Sequence, residues 1–187
     1  MNYKEIFALT WGIISNPIAT WRKINADNRC LEVQPNYVYP YIGLASLATF
    51  IGILLSDDTN EVNSLLTYVM RECSVTAVAL LAGFFITSYS VEKIFVGSDN
   101  IKRIMMYVGY SYSVVYVLMV VSEIFPSLSF IMWILQFYTI YVAWEGSKTV
   151  VNVKEEKRLL YTLTTSLLII LSPTIVEMIL KKLMQII

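Results

Sequence analysis

The sequence predicts an all-α fold: a polytopic membrane helical bundle with five transmembrane helices, preceded by N-terminal amphipathic helices. Three observations carry this. Hydrophobic residues make up 57% of the 187, against about 45–50% in soluble domains, and charged residues only 15%, against about 25%; mean hydropathy is +0.62. Charge-free runs reach bilayer length: seventeen residues from Val75 to Val91, nineteen from Ile104 to Ser122. Cations gather in the short turns between such runs, as Lys93, Lys102 and Arg103 do. A soluble helix of that length carries a charged stripe. A chain this short cannot bury several uncharged helices in soluble structure.

Residues 1–36 are expected to form a cytoplasmic or interfacial amphipathic segment. From Tyr3 to Ile14, the residues Phe7, Trp11 and Ile14 share one helical face, with Ile6, Leu9 and Ile13 beside it. The run is too short to span, so the membrane interface is its expected place. Asn16-Pro17 restarts the chain. Asn is a favoured N-cap, and Pro suits the first helical position, where its missing N–H would be unpaired. The helix from Pro17 to Ala26 sets Ile18, Trp21 and Ile24 opposite Arg22 and Lys23. Two readings stand side by side for it: the headgroup zone, which suits Trp beside cations, or packing on protein. Residues 27–36 read as a linker.

Residues 37–187 are expected to be the membrane domain, with spans at about 37–55, 73–92, 104–123, 128–145 and 159–180. The first span holds Pro40 in its first turn, where it costs little. Gly43, Ala45, Ser46, Ala48, Thr49 and Gly52 make it small-sided. Small side chains let backbones approach closely in lipid, which predicts a central place in the bundle. Asp58 and Glu61 resemble a capping box ahead of an amphipathic extramembrane helix that leads toward the second span. In that span Ala79, Gly83 and Thr87 recur every fourth residue, predicting another close contact. Phe125-Pro126-Ser127 is short enough to force the third and fourth spans to be antiparallel neighbours. Trp133 and Trp144 are spaced to anchor the fourth span. Ser172-Pro173 predicts a kink in the fifth. No internal repeat supports an inverted-repeat transporter.

The cations set the orientation. Lys4, Arg22, Lys23, Arg29, Lys93, Lys102, Arg103, Lys148, Lys154, Lys157 and Arg158 fall on the N-terminal side of a five-span topology, and Arg71, Lys181 and Lys182 on the other. The expectation is a cytoplasmic N-terminus and an external C-terminus. Cys30 and Cys73 then lie on opposite sides, which argues against an intrachain disulfide.

Composition also narrows the chemistry. Zero net charge leaves no overall nucleic-acid footprint. The absence of histidine removes the commonest general base and transition-metal ligand. No nucleophile triad, phosphate loop or zinc spacing is present. No catalytic residue, metal or cofactor is therefore expected. The candidates are ionisable groups at span ends, which are functional by default inside a bilayer: Glu92 with Lys93, Glu123, Glu145 and Glu177. Glu92 adjoins Lys93, Glu145 lies three residues from Lys148, and Glu177 lies four from Lys181, so ordinary pairing is the plainer reading. Tyr107, Tyr110, Tyr112, Tyr116, Tyr138 and Tyr141 crowd the third and fourth spans. Buried phenols need partners; these either line a polar cavity or join helices and mark the interfaces.

Tyr107-Val108-Gly109-Tyr110-Ser111 in the third span, followed by Ile124-Phe125-Pro126, resembles a Gly-Tyr-Ser-like element of the Yip1 family and the proline that follows it. Asn16-Pro17 with Trp21 and Ile24 is similar to the entry segment of bacterial members. The resemblance covers nearly the whole chain. It implies a cytoplasmic N-terminal segment, five spans and a short far-side tail. The Asp-Leu-Tyr-Gly-Pro element of eukaryotic members is absent, and the composition fits a member from a bacterial inner membrane. Two functional classes follow. One is a non-enzymatic scaffold, adaptor or membrane-organising protein, whose partners are the lipid bilayer and a second copy or another membrane protein. The other is a small transporter or channel with a polar cavity among spans three to five.

Overall fold

The computed structural model describes residues 3–27, 33–55, 62–96 and 101–186. It is helical almost throughout, with no strand among the described residues. Helices α1 (Tyr3–Ser15) and α2 (Pro17–Ala26) come first. A wide π-helical turn, Gln34–Val38, leads into α3 (Tyr39–Leu55). Then come α4 (Val62–Val91), which ends in a second π-helical turn at Glu92–Val96, and α5 (Ile101–Ser111), which runs into α6 (Ser113–Ile124). A 3₁₀ turn, Pro126–Leu128, opens α7 (Ser129–Leu135); α8 (Tyr138–Gly146) ends in a third π-helical turn, Ser147–Val151; α9 (Glu155–Ile186) closes the described chain.

Four stretches are each long and apolar enough to cross a membrane: Gln34–Leu55, Leu65–Phe95, Ile101–Ile124 and Glu155–Gln185. A fifth crossing results if Pro126–Leu135 and Tyr138–Val151, which meet at 42°, count as one span. Their outward faces carry Leu47, Phe50 and Leu54 on α3, Val78 and Leu81 on α4, and Leu163, Leu167 and Leu171 on α9. Such faces meet lipid, because a helix pairs its own backbone and leaves only apolar side chains outside. Lys93, Lys102, Lys154 and Arg158 collect at one end of the bundle, here the basic end. Glu72, Glu123, Glu177 and Lys181 collect at the other, the acidic end.

The centre is not the small-sided first span. Two thirds of the third span's apolar window, 67%, is buried inside the protein, against 28% for the first. Tyr107, Val108, Tyr110, Tyr112 and Tyr116 are all buried. The small residues of α3 serve close contacts with two neighbours: a Cβ at Gly52 would run into the Glu123 carbonyl on α6, and Thr49 meets Thr76 on α4. Small residues mark close approach, whereas a central helix needs side chains that fill space on every side.

The stripe on α4 behaves as expected. Ala79 and Thr87 are buried, and a Cβ at Gly83 would stand 2.8 Å from Pro173 Cγ on α9. The helix ahead of the second span is continuous with it, since α4 runs unbroken from Val62. The expected kink at Pro173 does not break α9, which continues through it as one helix. The fourth span is bent. At Gln136–Phe137 the chain tightens to three-residue bonding, with Phe137 N donating to Ile134 O at 3.2 Å and Thr139 N to Gln136 O at 3.0 Å. No residue of α7 beyond that bend is buried.

The N-terminal segment folds back on itself. Helices α1 and α2 form an antiparallel hairpin: a Cβ at Gly12 would meet Thr20 Oγ1 at 2.8 Å, and Asn16 lies midway between them. Asn16 caps α2 through a bond from Ala19 N at 3.3 Å. The buried face of α1 is Ile6, Leu9, Thr10 and Ile13, while Phe7 and Trp11 point outward. In α2, Trp21 and Ile24 are fully buried, so packing on protein holds for its apolar face. Cys30, Arg29 and the Asp58–Glu61 cap lie outside the described residues.

Candidate functional site

Two polar constellations lie within the bundle. The first surrounds the Tyr107–Ser111 segment. The Tyr107 hydroxyl donates to Ala143 O at 3.1 Å on α8, and its ring lies 6.0 Å from that of Trp21 and 5.6 Å from that of Tyr161. Trp21 Nε1 donates to Val142 O at 3.0 Å, so the N-terminal hairpin and the third span read adjacent carbonyls of α8. Gly109 admits Val33: a Cβ there would stand 2.7 Å from Val33 Cγ2. Tyr110 packs its ring 4.6 Å from Tyr37.

A chain of hydroxyls continues from there. Thr10 Oγ1 lies 2.8 Å from the Tyr37 hydroxyl and also bonds Tyr41. Tyr37 reaches Ser113 Oγ at 2.5 Å. Tyr41 stacks on Tyr116 with centroids 5.2 Å apart. Toward α9, Ser172 Oγ lies 3.0 Å from Thr87 Oγ1 and 3.3 Å from the Tyr112 hydroxyl. Hydroxyls of Ser111, Tyr116, Thr139, Tyr161 and Ser166 are buried without a hydrogen-bond partner among the described residues. The tyrosines of the third span therefore join helices. Tyr138 and Tyr141 on α8 are more exposed, and the Tyr138 hydroxyl joins α8 to α1 by donating to Ile14 O at 2.8 Å.

The second constellation is the acidic end. Lys181 Nζ stands 2.8 Å from Glu177 Oε1 and 3.1 Å from Glu72 Oε2. Arg71 Nη2 approaches Lys181 O at 3.5 Å. Glu123, half-buried, lies within reach of Thr49, Glu177, Lys181 and Glu72. Thr49 in turn meets Thr76 at 3.2 Å. Three carboxylates from three spans thus face one ammonium. Among the described residues, no group of such side chains converges closely enough to hold a metal ion.

Of the residues weighed from sequence, the structure brings Glu123 and Glu177 together and seats Tyr110 in the core. Glu92 and Lys93 lie in the π-helical turn at the basic end, apart from the acidic constellation. Glu145 is half-buried on α8 and Lys148 exposed, with no ion pair between them among the described residues. The π-helical turn that starts at Ser147 changes the register on which their pairing depends. Sequence reasoning missed Glu72, Thr10 and Tyr37. The sequence does show that Glu72 is the last charge before a charge-free run, facing Glu123 at the same end.

A family model for the Yip1 domain matches residues 11–176, most of the chain. The chain belongs to the Yip1 family. Comparison with curated proteins and with solved structures gives no match. The Yip1 match begins within α1 and ends within α9, so it takes in the Tyr107–Ser111 segment with its tyrosine partners, and Glu72 and Glu123 of the acidic end, but stops short of Glu177 and Lys181.

Proposed function

We propose that this Yip1 protein is a non-enzymatic scaffold or adaptor of a bacterial inner membrane, with five spans and its basic end in the cytoplasm. The observation that carries the reading is α7. Phe130, Ile131, Trp133, Ile134 and Leu135 are all exposed on it, past the 42° bend at Gln136–Phe137, although α7 lies beside α6. Aromatic and branched side chains projecting from a helix with no buried residue suit helix–helix association within the membrane. The interior argues in the same direction, since the middle of the bundle is filled by tyrosine rings. Orientation follows from the excess of Lys and Arg at the basic end.

Photo-crosslinking from position 133 in native membranes tests it, with position 167 on the lipid face of α9 as comparison. A crosslinked second copy or membrane protein at 133 and none at 167 is expected. A monomer without neighbours at either position, in membranes and in mild detergent, overturns it.

The acidic end favours a second reading, a small transporter coupled to protons or cations. Glu72, Glu123 and Glu177 converge there, and Thr49 and Thr76 continue inward. Flux in proteoliposomes that Glu123→Gln and Glu177→Gln leave unchanged removes that reading.

A further inference from the structure

The N-terminal hairpin packs along the bundle. Its depth can be read from its partners. Thr10 bonds Tyr37, which bonds Ser113, and Ser113 lies halfway along the 24-residue span Ile101–Ile124. Closer to the hairpin tip, Ile14 O accepts from the Tyr138 hydroxyl at 2.8 Å, and Tyr138 lies halfway between Pro126 and Val151. On the returning helix, Trp21 touches Tyr107, Val142 and Gly146, all nearer the basic end. The hairpin therefore enters from the basic end, turns at Asn16 near the middle of the bundle and returns. Its outer face carries Tyr3, Phe7, Trp11 and Ile18, all exposed and apolar enough to meet acyl chains.

We propose that α1 and α2 form a wedge confined to one leaflet, so that the protein senses and favours membrane curvature with its basic end on the convex side. The geometry gives the magnitude. A helix with its side chains is about 10 Å across, so two of them add on the order of 160 Å² to one leaflet, beside on the order of 400 Å² for five spans. The other leaflet gains no further helix among the described residues, because α7 only continues the fourth span past its bend. Next to the hairpin tip lies a groove of about 310 Å³, lined by Ile14, Val114, Val117, Leu118, Leu135 and Tyr138. It is wholly apolar, which suits the chain ends of lipids from the opposite leaflet. Insertion that expands one leaflet is sensitive to curvature for surface helices, and the same reasoning applies to a hairpin held in place by protein. The wedge needs no partner on α7, so it stands whether or not the scaffold reading does.

The test uses the full chain with Lys157→Cys at the basic end and both native cysteines replaced by Ser. It is reconstituted into vesicles about 30 nm and about 200 nm across and labelled with an impermeant maleimide. A several-fold excess of basic-end-outward protein is expected in the small vesicles and a near-even mixture in the large ones. The same orientation ratio at both sizes, or an excess of the opposite orientation in small vesicles, overturns the proposal. A chain lacking residues 1–27 should lose the bias if it retains its helical content and a single size in detergent; retaining the bias overturns the proposal too. If the shortened chain does not fold, the size series on the intact chain decides alone.

Discussion

The ring of Trp21 lies on Gly146, so close that a Cβ there would stand 2.7 Å from two of its atoms and 3.0 Å from Tyr107. This contact fastens the N-terminal hairpin to the fourth span. Gly146→Val should overfill it and cost about 1–3 kcal/mol. Trp21→Ala should open a cavity and cost about 3–5 kcal/mol. Unfolding in detergent reads both, and protease cleavage within residues 27–36 should become faster in each. Unchanged cleavage would mean that the hairpin is held by its other contacts.

The crossing of α4 and α9 rests on Gly83 and Pro173. Gly83→Val should destabilise the pair by about 1–3 kcal/mol, because the α9 backbone stands in the way of any added methyl group. Pro173→Ala should cost less than Gly83→Val. It removes a ring from the contact but restores a helix bond that Pro lacks. Thermal unfolding of the two variants side by side checks the order.

At the acidic end, Lys181→Met leaves Glu72 and Glu177 facing one another without their cation and should destabilise the fold. Adding Glu177→Gln should recover part of the loss. The coupling between residues 181 and 177 should be about 1 kcal/mol at most, because both side chains keep water contact. A double-mutant cycle measures it, and no coupling would reduce the pair to a surface feature.

Topology has its own test. Lys182→Cys on an exposed position of α9 should react with impermeant maleimide on intact cells, and Lys157→Cys should not. The native Cys73 is a slower reporter, since it is half-buried and its thiol donates to Ser46 O at 3.3 Å. The reverse pattern would place the basic end outside.

Much of the fold was legible because bilayer spans are written as length and charge. Val75 to Val91 and Ile104 to Ser122 needed only counting, and the Ala79–Gly83–Thr87 stripe named its own contact face. What was not legible has one physical cause. In a bilayer, lipid and protein interior are both apolar, so an apolar face does not say which of them it meets. On α1, Phe7 and Trp11 look as buried in sequence as Ile6 and Ile13 do, yet only the latter pair is. For the same reason the small residues of α3 suggested centrality when they marked close approaches to α4 and α6. Hydroxyl pairs such as Thr10 with Tyr37 join segments far apart in sequence and carry no periodic signal. The bend at Gln136–Phe137 has neither Pro nor Gly to announce it.

The π-helical turns Gln34–Val38, Glu92–Val96 and Ser147–Val151 all lie at the basic end, one each on the first, second and fourth spans. A π-helical turn amounts to one extra residue in an α-helix, and each residue advances a helix by about 100°. These turns are phase shifters. They let the flanking loops join the helices at an angle the membrane-embedded faces do not dictate. Deleting one residue from the turn at Glu92–Val96 or Ser147–Val151 would rotate everything on its loop side by roughly a quarter of a revolution and leave the tyrosines of the third span where they are. Length changes of one residue are thus absorbed at the basic end, whereas at the acidic end, where no such turn is found among the described residues, a deletion would rotate Glu72 or Glu177 away from Lys181.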